Sequence, residues 1–99
     1  LVALEGDSVL GTVMVGYDGH RGWLYYLAVA TAMRRRGVGR ELVAEAQVWL
    51  KAQGARKAQL MIRADNHQAQ AFYSALGYET QSVDVVGIWL DPGAGPNTK

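Results

Sequence analysis

The sequence predicts an α+β (mixed α/β) domain, a mixed sheet in the order β-β-β-α-β-α-β-β with a parallel central pair. Three observations carry this. Short branched and aromatic stretches open the chain, apolar residues then recur at three- and four-residue spacing over residues 38–50, and a strand-like run follows at 58–62. Strand, helix and strand in succession imply two parallel neighbours joined by a right-handed crossover, inside an otherwise antiparallel sheet. The 99 residues, 49% of them apolar, make one such domain and leave no room for a second.

Each element has its own signal. Val2 and Leu4, then Val9, Leu10, Val13, Met14 and Val15, fall in two β-like stretches separated by Glu5-Gly6-Asp7-Ser8. Tyr17-Asp18-Gly19-His20-Arg21-Gly22 has the chemistry of a hairpin turn. Residues 23–30, WLYYLAVA, are apolar throughout and predict a central strand buried on both faces. Val38, Leu42, Ala46, Trp49 and Leu50 form one face of a helix that stops at Gly54. Residues 58–62 predict a second buried strand. Asp65 or Asn66 can cap a second helix carrying Ala69, Phe72, Tyr73 and Leu76, with Gly77 as its stop. Residues 78–90 contain two further β-like pieces. The domain is expected to span residues 1–90, and residues 91–99, without an apolar anchor, to form a disordered tail.

Composition excludes several function classes. Ten Lys+Arg against nine Asp+Glu leave a net charge of +1, unlike a nucleic-acid-coating protein or an acidic tail. There is no cysteine, hence no disulfide, thiol nucleophile or thiolate metal site. No apolar run approaches the roughly 18 residues that span a bilayer, and no export leader is evident. A cytoplasmic, metal-independent domain is the expectation. The chain begins at Leu1 rather than Met, which suggests processing or a piece of a longer reading frame.

Chemistry concentrates in Met33-Arg34-Arg35-Arg36-Gly37-Val38-Gly39-Arg40, between the predicted central strand and first helix. Glycines two apart let a ligand approach the backbone, and the helix aims its free N–H groups at the same place. Such a turn suits a phosphate or pyrophosphate, with the arginines supplying positive charge. A solvated basic turn is the plain alternative. A P-loop lacks its Gly-Lys-Ser/Thr, and Leu42 stands where a dinucleotide fingerprint needs its third glycine. The neighbouring aromatics fall on a strand that reads as buried, so a nucleic-acid surface is not expected.

Arg34-x-x-Gly37-x-Gly39 is followed by Asn66-x-x-Ala69-x-x-Phe72-Tyr73-x-x-x-Gly77-Tyr78. Together they resemble the acetyl-CoA site of the GCN5-related N-acetyltransferase (GNAT) family, R/Q-x-x-G-x-G/A and N-x-x-A-x-x-F/L-Y-x-x-x-G-F/Y. The resemblance covers residues 9–90. Residues 11–29 also resemble small bacterial members related to the ribosomal-protein N-acetyltransferases. The family's usual opening strand and two helices have no counterpart here, and those elements form much of its acceptor pocket.

The resemblance implies acetyl-CoA as co-substrate and an amine acceptor: a protein N-terminus, a lysine or a small amine. The pyrophosphate would rest on the main chain of Arg35, Arg36, Gly37, Val38, Gly39 and Arg40, with Arg34 at the motif's first position. The backbone of Leu27, Ala28 and Val29 would pair with the pantetheine arm and polarise the thioester carbonyl. Asn66 would lie beside that arm, whether or not it also caps its helix. Tyr73 would give a proton to the departing thiolate, which its phenol, protonated at neutral pH, is able to do. Some relatives carry a Glu base where this chain has Met61, so no base is assigned; Tyr25, Tyr26, His20, Asp18 or a water chain remain. The expected reaction is direct attack of the amine on the thioester, the alternative a non-catalytic CoA-binding or assembly module. Apolar sheet surface without those extra helices predicts a homodimer, with strand exchange as one route.

Overall fold

The computed structural model describes residues 1–5, 8–30, 37–91 and 93. Three strands come first: β1 (Val2–Glu5), β2 (Ser8–Tyr17) and β3 (Gly22–Val29). Helix α1 (Val38–Gln53) leads to β4 (Ala58–Gln59), and α2 (His67–Ala75) follows. The sheet runs β1-β2-β3-β4. Its first two pairings are antiparallel, and β3 with β4 is parallel, as the helical crossover requires.

The hairpin between β2 and β3 is set by Asp18. Its Oδ1 accepts from the amides of His20 (2.8 Å) and Arg21 (2.7 Å), and its Oδ2 from Trp23 Nε1 (3.1 Å). These donors lower the carboxyl from 3.8 to about 2, the Arg21 amide contributing most. Helix α1 lies across one face of β2 and β3, burying Val38, Leu42, Val43, Ala46 and Leu50 against Val13 and Leu24. Gly22 sits directly beneath Leu50: a Cβ there would fall 2.5 Å from its methyl carbons. The buried stripe centres on Ala46, fully enclosed, and reaches Val43. Trp49, expected on that face, sits at its edge and is 41% exposed. Gly54 ends α1 at φ 100, the left-handed stop that its position implies.

Two strand expectations are corrected. Residues 23–30 are not buried on both faces. Only the α1 side is covered, so Gly22 and Leu24 are enclosed, Trp23 and Tyr25 half-buried, and Tyr26 81% exposed. Likewise Ala58, Leu60 and Ile62 pack on the core while Met61 points outward. Residues 78–90 form no strand. Val83, Val85, Val86, Ile88 and Leu90 are 71–91% exposed, because the edge they would join, β4, offers only two laddered residues. Strand propensity without a partner strand makes no sheet. The predicted tail falls largely on residues 92 and 94–99, outside the described residues.

Candidate functional site

The site is organised by a change of phase within β3. Tyr25 pairs with Met14 and Ala28 with Thr12, so Tyr26 and Leu27 together face the single residue Val13. This bulge holds Tyr26 at φ 51, a left-handed conformation costing a side-chain-bearing residue about 1–2 kcal/mol. Leu24 points to the core before it; Leu27 and Val29 do so after it. Nothing in Tyr25-Tyr26, lacking glycine, signals the bulge.

On its other side β3 touches β4 only through Gly22–Ala58 and Trp23–Gln59. From Leu24 onward that edge of β3 has no ladder among the described residues. Ala30 N–H donates to Leu10 C=O on β2, and the Ala28 carbonyl also turns toward β2, 2.8 Å from where a Gly11 Cβ would stand. By the alternation of an antiparallel ladder, the peptide groups of Val29 and Leu27 then face the opening beside β4. Of the three strand residues expected to meet a ligand through their main chain, Leu27 and Val29 present it and Ala28 does not.

Helix α1 begins at this opening. Gly37 caps it at φ 83 with no side-chain cap, and the first intrahelical bond is Glu41 N–H to Gly37 C=O at 3.0 Å. The amides of Val38, Gly39 and Arg40 therefore have no carbonyl within the helix and point out of its end. The two glycines have different reasons. A Cβ on Gly37 would meet nothing within 4 Å, so this is the open side of the turn. A Cβ on Gly39 would lie 3.4 Å from Phe72 and 3.5 Å from Val29, so that glycine faces protein. That contact brings the start of α1, the end of β3 and α2 to one place. Arg34, Arg35 and Arg36 lie outside the described residues; Arg40 is exposed on the first turn.

Asn66 caps α2, its Oδ1 accepting from Ala69 N–H at 3.0 Å. Seven residues on, two helical turns, Tyr73 is only 8% exposed. Its ring meets Phe72 edge-on (4.9 Å, 82°) and Tyr78 similarly (5.4 Å, 68°). Tyr78 is itself held by Gln47 Nε2 at 2.7 Å. Burial, and secondarily Tyr78, raise the Tyr73 hydroxyl above its usual 10, so it is a proton donor at neutral pH. Among the base candidates, Asp18 is spent on its own turn and too acidic to take a proton near neutrality. Met61 stands 62% exposed on the outer face.

An open strand edge, a helix N-terminus free of side-chain caps, and a buried tyrosine thus meet at one junction. The model of the Acetyltransferase (GNAT) family matches residues 1–78. The chain belongs to the GNAT family. A curated GNAT relative, Acetyltransferase YE1169 of Yersinia enterocolitica, is 41% identical over 87 residues, 88% of this chain. The chain covers 62% of that relative's length, less than two thirds. The aminoglycoside acetyltransferase HMB0005, from an uncultured soil metagenomic sample, is 28% identical with a TM-score of 0.74, covering 91% of this chain and 64% of its own. AAC(6')-Iy, solved with the bisubstrate analogue CoA-S-monomethyl-acetylneamine, has the same fold at 21% identity and a TM-score of 0.76, covering 89% and 65%. Among the described residues no helix is long and apolar enough to cross a membrane.

Proposed function

We propose that this GNAT domain binds acetyl-CoA at the junction of β3, α1 and α2 and transfers the acetyl group to a primary amine by direct attack. The observation that carries the reading is the convergence at Gly39: free helix amides, an unladdered β3 edge and the Asn66–Tyr73 helix meet there. Acetyl-CoA, when bound, supplies the thioester that the amine attacks. The amides of Gly37, Val38, Gly39 and Arg40, with Arg34, Arg35 and Arg36 alongside, hold its pyrophosphate. The Val29 and Leu27 main chain pairs with the pantetheine arm and polarises the carbonyl, and Asn66 flanks the arm. Tyr73 protonates the leaving thiolate, whose ordinary value near 8.5 lies well below the phenol's. The setting is cytoplasmic.

Calorimetric titration of acetyl-CoA into the folded chain tests this. Micromolar one-to-one binding is expected. Gly37→Glu, which puts a carboxylate into the open side of the turn, should weaken it at least about tenfold. Gly37→Asn, a residue that tolerates positive φ, separates charge from backbone strain. A folded chain without affinity overturns the reading. Met61 at the position where some relatives carry a base favours a second reading, a non-catalytic CoA-binding or assembly module, which predicts acetyl-CoA binding with no acetyl transfer to any amine.

The apolar segment that follows α2 supports a homodimer. Val83, Val85, Val86, Ile88, Trp89 and Leu90 stand 57–91% exposed, more contiguous apolar surface than a monomer usually leaves in water.

A further inference from the structure

The face of the sheet opposite α1 carries a cavity of about 570 Å³ whose lining follows the register of β3 and β4. Gly22–Ala58 and Trp23–Gln59 pairing places Arg21 beside Lys57, Trp23 beside Gln59 and Tyr25 beside Met61. The alternation of a strand turns all six to the same side. The cavity therefore has polarity along its length. Its inner end, at Tyr25 and Met61, adjoins the bulge and the opening where the thioester is proposed to lie. Its outer end, at Arg21 and Lys57, lies four strand residues away, about 13 Å.

That outer end is cationic. The Arg21 guanidinium has no hydrogen-bond or ion-pair partner among the described residues, and Lys57 Nζ touches only the neutral amide of Gln81 at 2.6 Å. Asp84 lines the cavity too, leaving one positive charge in excess, and Asp18 is occupied by its hairpin amides and Trp23. A polycationic acceptor such as an aminosugar would meet repulsion here; an acceptor carrying a carboxylate would find a planar two-pronged donor. Side chains reaching inward from Arg21 shorten the span to be bridged to two or three extended residues. The amine end has no assigned base, which favours an α-amine, neutral in about one molecule in seven at pH 7, over a lysine-type amine, neutral in about one in 2,500.

We propose that the acceptor is the α-amine of a short acidic or free-carboxyl peptide, its carboxylate held by Arg21 and Lys57 at the outer end of this cavity. The inference rests on the acetyltransferase reading. Tri-alanine, its C-terminal amide and kanamycin, each titrated into the full chain with and without saturating CoA and assayed for acetyl transfer, test it. Tri-alanine should be favoured over its amide and over kanamycin by about tenfold or more. Arg21→Gln should remove that preference and Arg21→Lys retain part of it, with acetyl-CoA affinity unchanged in both. Equal binding of acid and amide, or preference for kanamycin, overturns the acceptor class even if acetyl-CoA binds. Failure of acetyl-CoA to bind while the carboxylate preference persists overturns only the catalytic reading.

Discussion

Two single side chains show how much function hangs on surroundings rather than on residue type. Tyr73 is at once a core aromatic and the proposed acid, and the two roles separate by substitution. Tyr73→Phe keeps the edge-on contacts with Phe72 and Tyr78, so stability should change by less than about 1 kcal/mol. Turnover should fall on the order of a hundredfold with acetyl-CoA affinity retained. The wild-type rate should show no loss assignable to Tyr73 below its ordinary value of about 10, because burial moves it upward. Steady-state kinetics across pH decides this; an unchanged turnover in Tyr73→Phe removes Tyr73 from the chemistry. Asp18 behaves oppositely. Its folded carboxyl sits near 2, below its ordinary 3.8, so its support for the hairpin is complete above 3.8 and is lost as pH falls through about 2. A carboxyl-carbon NMR titration should place its midpoint near 2, and a midpoint at the ordinary value would show that the turn does not hold it. Tyr26 marks the limit of reading residues one at a time. Its positive φ is imposed by the tertiary pairing around Val13, and no local signal announces it.

At the scale of elements, punctuation was the most legible part of the sequence. Asn66 as cap, Gly54 and Gly77 as left-handed stops, and Asp18 in the hairpin all stand where local chemistry places them. What failed to read was partnership. An all-apolar run such as residues 23–30 looks the same whether one face is covered or two, and the face left open here is the one that carries the cavity. Spacing also could not tell Trp49 from Val43 at the margin of the α1 stripe, since both sit near its edge. Nor could it show that the paired glycines of α1 differ. Gly39 faces Phe72 and Val29 at ordinary contact distances, and its amide, not the absence of a side chain, is the functional group. Gly39→Ala should therefore leave acetyl-CoA affinity intact and raise stability by up to about 1 kcal/mol through helix propensity. Thermal unfolding beside calorimetry checks it; lost affinity would mean that the ligand itself needs that space.

For the molecule as a whole, the element order and the crossover were legible, because a strand, a helix and a strand admit few topologies. The last two strands were not. Whether apolar residues 83–90 ladder depends on an edge that β4 is too short to offer. A second copy supplies what one chain lacks, so light scattering at tens of micromolar should report a dimer. Val86→Lys with Ile88→Lys should shift it to monomer, and a monodisperse wild-type monomer would end the idea.

Parallel pairing of β3 with β4 amounts to two rungs, and α2 with everything after it is tied to the sheet through that short ladder. Amide hydrogens should therefore exchange in two tiers. Those of β2, β3 and α1, around Val13, Leu24 and Ala46, would be the slowest, while α2 opens well before the whole chain unfolds. The tyrosine that completes the junction would then ride on the most easily released third of the protein. Whatever bridges the opening from α1 to α2 would fasten that third in place, and occupancy would be readable as slowed exchange at Tyr73 before any product is made.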